Sequence, residues 1–133
     1  TVEAYDPQAD SWQRVASMLQ GLYGHAAAAM GGKIYVTGGH NASSFLHALS
    51  ARGVENSVFV YDPQADAWTQ LASMGTPRCR HASAAVGGKL YVFGGVGAGG
   101  RLSTVEVYDP ALDSWAEGSS LISVRSHSIA AAL

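Results

Sequence analysis

The amino-acid sequence predicts an all-β protein assembled from repeated units, and three observations carry that prediction. A Tyr-Asp-Pro motif with Trp seven residues after its Tyr occurs three times, as Tyr5-Asp6-Pro7 with Trp12, Tyr61-Asp62-Pro63 with Trp68, and Tyr108-Asp109-Pro110 with Trp115. These starts lie 56 and 47 residues apart. A second set keeps step: Gly31-Gly32-Lys33-Ile34-Tyr35 and Gly38-Gly39 return as Gly87-Gly88-Lys89-Leu90-Tyr91 and Gly94-Gly95, each 56 residues on. The third observation is composition. With 16 Gly and 22 Ala in 133 residues, the chain holds more glycine than helices tolerate, which points to tight turns and crowded backbone. Self-similarity at a period near ~50 residues marks a repeat architecture.

Taken in order, the motifs are an Ala-rich run opened by His, Gly-Gly-Lys-hydrophobic-Tyr, Gly-Gly, then Tyr-Asp-Pro and Trp. They resemble the kelch repeat over essentially the whole chain. That resemblance implies a β-propeller with four strands, a to d, in each blade. The chain then divides into a partial blade of strands c and d (1–18), a complete blade (25–74), a second complete blade (81–120) and the first strand of a further blade (127–133). Units of roughly 50 residues fit fewer than three times, whereas propellers close with about four to eight blades. The expectation is a propeller fragment that belongs to a longer polypeptide or is completed by other chains, with self-association through its open blade edges.

Each strand has its own local reason. Strand a (His81–Val86) carries small side chains that suit the crowded axis. Gly87-Gly88 is a hairpin signal. Strand b (Lys89–Phe93) is rich in β-branched and aromatic residues and stops at Gly94-Gly95, where the backbone needs positive φ or close approach. Strand c (Thr104–Tyr108) ends at Asp109-Pro110, a type I turn pair. Strand d begins at Trp115, whose ring is placed to fill the widening wedge between blades and would bury about 150–250 Å². The nine-residue difference between the two periods falls in the b–c loop from His40 to Asn56. Loops that grow on a repeated scaffold decorate one face, often the binding face.

Composition excludes several classes. Eight Lys+Arg against ten Asp+Glu give a net charge of −2, with 14% charged and 47% hydrophobic residues. That is too apolar for a disordered tail and offers no basic cluster for nucleic acid. No apolar run reaches the ~20 residues of a spanning helix, and no secretory leader is expected from the first residues. The single Cys79 cannot form an internal disulfide, which favours a reducing, cytoplasmic setting.

Several patterns imitate chemistry. His25, His81 and His127 follow the repeat, so each is expected to make a local structural hydrogen bond rather than bind a metal. Gly95 to Gly100 fits G-x-G-x-x-G, but a strand rather than a helix follows, so no dinucleotide site is expected. Cys79 lies between Arg78 and Arg80, which could lower its pKa, although an incidental thiol is the simpler reading. Asn41-Ala42-Ser43 is a sequon, read as unmodified. The paired aspartates belong to turns, and no nucleophile elbow is present. No catalytic residue, cofactor or metal is expected, and the chain reads as a binding module rather than an enzyme.

In kelch proteins that bind peptides, the residues before strand a and after the strand-b glycines share one face, where arginines clamp acidic side chains in bidentate fashion. Carried over position by position, the candidates are Tyr23 in the first d–a connection, Arg78 and Arg80 in the second, and Arg125 and Ser126 in the third. His40 and Asn41 follow the glycines, with Phe45, His47 and Arg52 in the long loop. The first connection has no arginine, so the charge is not repeated around the ring. The Tyr-Asp-Pro…Trp form looks most like BTB-kelch proteins, which implies substrate recognition for a cullin-type ubiquitin ligase through regions outside this chain, with an acidic protein or peptide as ligand. An actin-binding kelch protein and a kelch-fold sugar oxidase or mutarotase are the alternatives.

Overall fold

The computed structural model describes residues 1–41 and 53–131. Every regular element among them is a strand. The first six are β1 (Val2–Asp6), β2 (Ser11–Val15), β3 (Leu22–Tyr23), β4 (Ala26–Met30), β5 (Lys33–Thr37) and β6 (His40–Asn41). Then come β7 (Val58–Asp62), β8 (Ala67–Leu71), β9 (Ala82–Val86) and β10 (Lys89–Phe93). The last are β11 (Val96–Gly97), β12 (Gly100–Arg101), β13 (Val105–Asp109) and β14 (Ser114–Gly118).

Two four-stranded antiparallel sheets result, β4-β5-β7-β8 and β9-β10-β13-β14, preceded by the two-stranded hairpin β1-β2. These are two complete blades and the outer half of another. The Ala-rich strands β4 and β9 lie side by side, where small side chains let the sheets converge. Met30↔Lys33 and Val86↔Lys89 close the a–b hairpins. Their two-residue Gly-Gly turns need φ > 0 at both positions and show 59° and 74°, then 58° and 76°, as type I′ geometry requires.

The Tyr-Asp-Pro…Trp motif has a specific task. In each c–d turn the first Asp caps the loop, its Oδ1 accepting the N–H of Gln8, Gln64 or Ala111. The second Asp (Asp10, Asp66, Asp113) ends the turn in left-handed conformation at φ 48°, 46° and 44°. Its carboxylate accepts the hydroxyl of Tyr5, Tyr61 or Tyr108 at 2.6–2.7 Å. In the two complete blades the same carboxylate then reaches the preceding blade. Asp66 accepts from Ala16 N at 2.8 Å and Asp113 from Ala72 N at 3.0 Å. Trp68 and Trp115 donate their indole N–H to the carbonyls of those same alanines at 2.8 Å. Asp and Trp together thus grip both polar groups of one peptide residue. The backbone N–H bonds hold the Asp66 and Asp113 carboxyls below the ordinary range, and the Asp66 carboxylate holds the Tyr61 hydroxyl above its own.

The core sits between the blades. Tyr35 and Val60 of the first complete blade pack with Leu90 and Tyr108 of the second, flanked by Trp115. Val58 and Met74 meet Val92 in a second cluster. His81 adds a polar brace: its Nε2 lies 2.7 Å from Thr37 Oγ1. Burial first, then the charge of Arg78, lowers its pKa to about 3, so the folded ring is neutral. Among the described residues no blade precedes the first hairpin, and Trp12 is 67% exposed.

Two differences from the sequence reading stand out. No sheet ladder forms over 127–131, where strand a of a further blade is expected, because no b strand lies beside it among the described residues. His127 is also not the counterpart of His25 and His81. The bonds Gly39 N to Arg78 O and Gly95 N to Arg125 O place Arg125 where Arg78 stands. His127 therefore matches Arg80 and Gly24, and Ser128 takes the histidine position.

Trp68→Ala should cost about 3 kcal/mol in chemical denaturation, and Trp68→Phe, which keeps a ring but loses the donor, about 1 kcal/mol. A loss below that for the alanine variant contradicts the clamp. The unfolded chain protonates histidine near 6.5 and folded His81 only near 3, so the unfolded state binds more protons between them. Stability is therefore complete above pH 6.5 and falls as pH drops through that window. His81→Gln should flatten the slope above the carboxylate range, leaving the smaller part due to His40, whose pKa is lowered too.

Candidate functional site

The d–a connection of each blade meets its b–c loop on one face. In the first complete blade β3 pairs with β6, setting Leu22 opposite Asn41 and Tyr23 opposite His40. In the second, Cys79 bridges Val96. The strand-b glycines permit this approach. A Cβ at Gly39 (φ 101°) would lie 2.9 Å from Tyr23 O, and one at Gly95 (φ 94°) 2.7 Å from Cys79 O. Neighbouring blades are tied along the same face by Arg80 N to Gly24 O (2.7 Å) and His127 N to Arg80 O (2.8 Å).

Tyr23, His40 and Arg80 come together here. Tyr23 is 40% exposed and stacks on the His40 ring, with centroids 5.0 Å apart and planes 12° apart. His40 is buried beneath it, and burial followed by the Arg80 charge lowers its pKa. Arg80 is exposed, and its side chain passes Gly24, whose Cβ would lie 3.7 Å from Arg80 Cγ. Its backbone has φ 53°, a conformation that costs an L-residue about 1–2 kcal/mol. Gly24, its counterpart, adopts φ 65° at no such cost. Arg80 is held there by backbone bonds on both sides, the residue is exposed, and its charge is near enough to act on His40. Such a group can take a carboxylate in bidentate fashion.

Arg78 does not belong to this face, which corrects the sequence expectation. Its side chain is 0% exposed. Nη1 donates to Gly94 O (2.7 Å) and Thr104 O (3.1 Å), and Nη2 to Thr104 Oγ1 (3.2 Å) and Glu106 Oε2 (2.6 Å). The Glu106 carboxylate also accepts Gly75 N and Thr76 N. The pair braces the d–a connection against its own blade. In the first complete blade the equivalent positions are Leu22 and Phe59, both apolar, with Phe59 buried. Glu106 has no signal as a partner in the second repeat alone; comparing Arg78 and Glu106 with Leu22 and Phe59 as pairs would have revealed it.

Arg125 is exposed and Ser126 half-buried, on the face but with no blade beyond them among the described residues. Asn41 lies on the face in β6. Phe45, His47 and Arg52 lie outside the described residues. Cys79 is 1% exposed with Sγ 3.5 Å from Val96 O. Burial raises its pKa against the smaller opposing effect of Arg80, so the activated-thiolate reading fails. The G-x-G-x-x-G stretch folds as the small hairpin β11-β12, and Gly95 N is spent on Arg125 O. Among the described residues no cluster of His, Cys, Asp and Glu could hold a metal. No described helix is long and apolar enough to cross a membrane.

Radial four-stranded sheets joined through shared connectors, with one loop face, define a propeller-type repeat module. The family model of the KLHDC2/KLHL20/DRC7 Kelch-repeats domain matches residues 5–132, and the chain belongs to the kelch-repeat family. It is 35% identical over 95 residues to Kelch-like ECH-associated protein 1A of Danio rerio, covering 71% of this chain and 15% of that protein. It is 33% identical over 100 residues to Kelch repeat and BTB domain-containing protein 12 of Homo sapiens, covering 75% and 16%. With Kelch-like protein 9 of Mus musculus it shares 36% over 100 residues, again 75% and 16%. The chain thus spans less than a fifth of these relatives. The solved structure titled "Structure of YjhT" superposes with a TM-score of 0.75 at 21% identity, over 90% of this chain and 43% of that one, a likeness of fold.

Arg78→Ala should destabilise by about 3–5 kcal/mol, because it strands a buried carboxylate. Replacing the pair as Arg78→Leu with Glu106→Phe should recover more than half of that in denaturant melts. A double variant worse than Arg78→Ala contradicts the interchange of ionic and apolar braces.

Proposed function

We propose that this chain is the protein-binding part of a kelch propeller and holds a short acidic segment on the face built from Tyr23, His40 and Arg80. The observation that carries the reading is exposed Arg80, presented on strained backbone with its charge acting on the Tyr23–His40 stack. A rigid β scaffold loses little ordering entropy on binding, the arginine supplies directional recognition of a carboxylate, and the half-exposed tyrosine supplies apolar contact. Arg125 and Ser126 extend the same face toward the next blade. Relatives named Kelch-like and BTB domain-containing support a finer reading, in which the module recognises substrates for a cullin-type ubiquitin ligase in the cytoplasm. That role runs through segments outside this chain and rests on likeness. The work of the face is recognition, not catalysis.

Arg80→Gly tests the site while sparing the fold, since glycine suits φ 53°. Its melting temperature should equal or exceed that of the parent. Its affinity for a fluorescent Glu-rich peptide, read by anisotropy, should drop about tenfold or more, while the Gln-substituted peptide binds weakly to both. Unchanged affinity for the Glu-rich peptide removes Arg80 from the site.

A further inference from the structure

Two small sheets stand on the loop face, one on each complete blade, and matched positions in them carry opposite chemistry. In the first blade Tyr23 lies opposite His40, and His40 bridges Val54. In the second, Cys79 bridges Val96, and Val96 lies opposite Arg101 in β12. Backbone anchors fix the match. Glu55 N donates to Gly39 O at 2.8 Å and Leu102 N to Gly95 O at 2.9 Å, while Arg78 N donates to Glu55 O and Arg125 N to Leu102 O, both at 3.1 Å. Glu55 and Leu102 are therefore equivalent, and so are Val54 and Arg101 just before them. Val54 is half-buried, whereas Arg101 is exposed. Valine serves the scaffold at this position, so the fold does not demand a guanidinium there.

Directly opposite residues of an antiparallel pair share one side of the sheet. Cys79, Val96 and Arg101 thus form one row. Cys79 shows which way the row faces, because a Cβ on Gly24 would lie 3.8 Å from Cys79 Cβ and 3.7 Å from Arg80 Cγ. The row is turned toward the connector of the first blade, where Arg80 also passes. Exposure rises along it, from Cys79 at 1% through half-buried Val96 to exposed Arg101. Arg80 follows the enclosed end in the chain, Arg101 forms the open end, and an apolar step lies between. Neighbouring strands lie about 4.8 Å apart, so two steps separate the ends of the row by about 10 Å. Lys33, Arg78 and Lys89 are each paired with a carboxylate. Neither Arg80 nor Arg101 has an ion-pair partner among the described residues. Cys79, Arg80, Val96 and Arg101 all belong to the second complete blade and the connector leading into it.

We propose that Arg101 is a second anion-binding residue of the loop face, set with Arg80 about the Cys79–Val96 step, and that the segment held there carries two acidic groups about 10 Å apart. This deepens the reading of the face as a binder of acidic segments and rests on it. An extended chain advances about 3.3 Å per residue, so acidic residues three positions apart span the row. Once one carboxylate is held, the other meets its arginine at high effective concentration. A guanidinium suits both places because its fork takes a carboxylate through two parallel hydrogen bonds.

Two fluorescent Gly-Ser peptides test this by anisotropy at neutral pH, one with two Glu three positions apart and one with a single Glu. The parent should bind the two-acid peptide about fivefold or more tightly than the single-acid peptide. Arg101→Ala should abolish that preference and leave the single-acid affinity within about twofold of the parent. Arg80→Gly should weaken both peptides. Arg101→Gln keeps part of the side-chain stem and should behave like Arg101→Ala, which assigns the loss to charge rather than packing. Thermal melts of both Arg101 variants should match the parent, since the residue is exposed. A two-acid preference that survives both Arg101 variants while Arg80→Gly weakens binding excludes the second site and leaves the reading of the face standing. A parent without the preference, or Arg101→Ala losses equal for the two peptides, excludes the second site as well. A parent that binds neither peptide, or an Arg80→Gly variant that binds as the parent does, overturns the reading of the face and the second site with it.

Discussion

The constraint on which the structure depends is the grip of each Asp-Trp pair on a single peptide residue of the blade before it. A four-stranded sheet satisfies its own inner ladders but leaves a residue such as Ala16 or Ala72, just past strand d, with an N–H and a C=O that nothing in its own blade takes up. The next blade supplies both partners at once, from a turn whose left-handed Asp and following Trp are spaced to reach one residue. Polar satisfaction and aromatic burial coincide at Trp115, which donates its hydrogen bond and also flanks the inter-blade core. Repeats of this kind are stabilised by nearest-neighbour interfaces more than by individual units.

The connectors between blades obey a second rule with two chemical solutions. Each d–a segment must be pinned beneath its own blade, close to the strand-b glycines, where a Cβ would collide with the connector backbone. One blade has Leu22 and Phe59 at the pinning positions, the other the buried Arg78–Glu106 pair. The ionic version is stable because the guanidinium and carboxylate are extensively hydrogen-bonded; with one partner missing, the buried charge would be costly. Pinning the connectors also fixes the loop face, so the exposed side chains of Tyr23 and Arg80 project from a rigid base.

That face shows how one scaffold position changes its role between blades. Gly24, Arg80 and His127 share left-handed backbone and one chain of inter-blade hydrogen bonds, yet carry no side chain, a guanidinium and an imidazole. The backbone work is the same at each, and the side chain is free to serve recognition. Two places earlier the side chains differ in burial: Leu22 is half-buried, Arg78 fully enclosed and Arg125 exposed.

The fold was legible because its signals are local and repeated. Gly-Gly at 31–32 and 87–88 set the hairpins, the β-branched and aromatic run Lys89–Phe93 set a strand, Asp109-Pro110 set the end of the strand before it, and the three Tyr-Asp-Pro…Trp motifs fixed the period. Local pattern could not tell Arg78 from Arg80, two arginines flanking one cysteine. Strand alternation would set both on one face; the left-handed backbone at Arg80 (φ 53°) breaks that course, so that Arg78 turns inward to Glu106, 28 residues away, while Arg80 is exposed. Nor could it show that Cys79 is enclosed or that His127 belongs with Arg80, because both depend on which backbone carbonyl meets Gly95. The sequence by itself determined the repeat, the strands and their turns, since these follow from φ/ψ preference and side-chain period over a few residues. Tertiary structure alone decided which polar side chains are structural and which are free to bind, since burial and partnership arise only when distant strands come together.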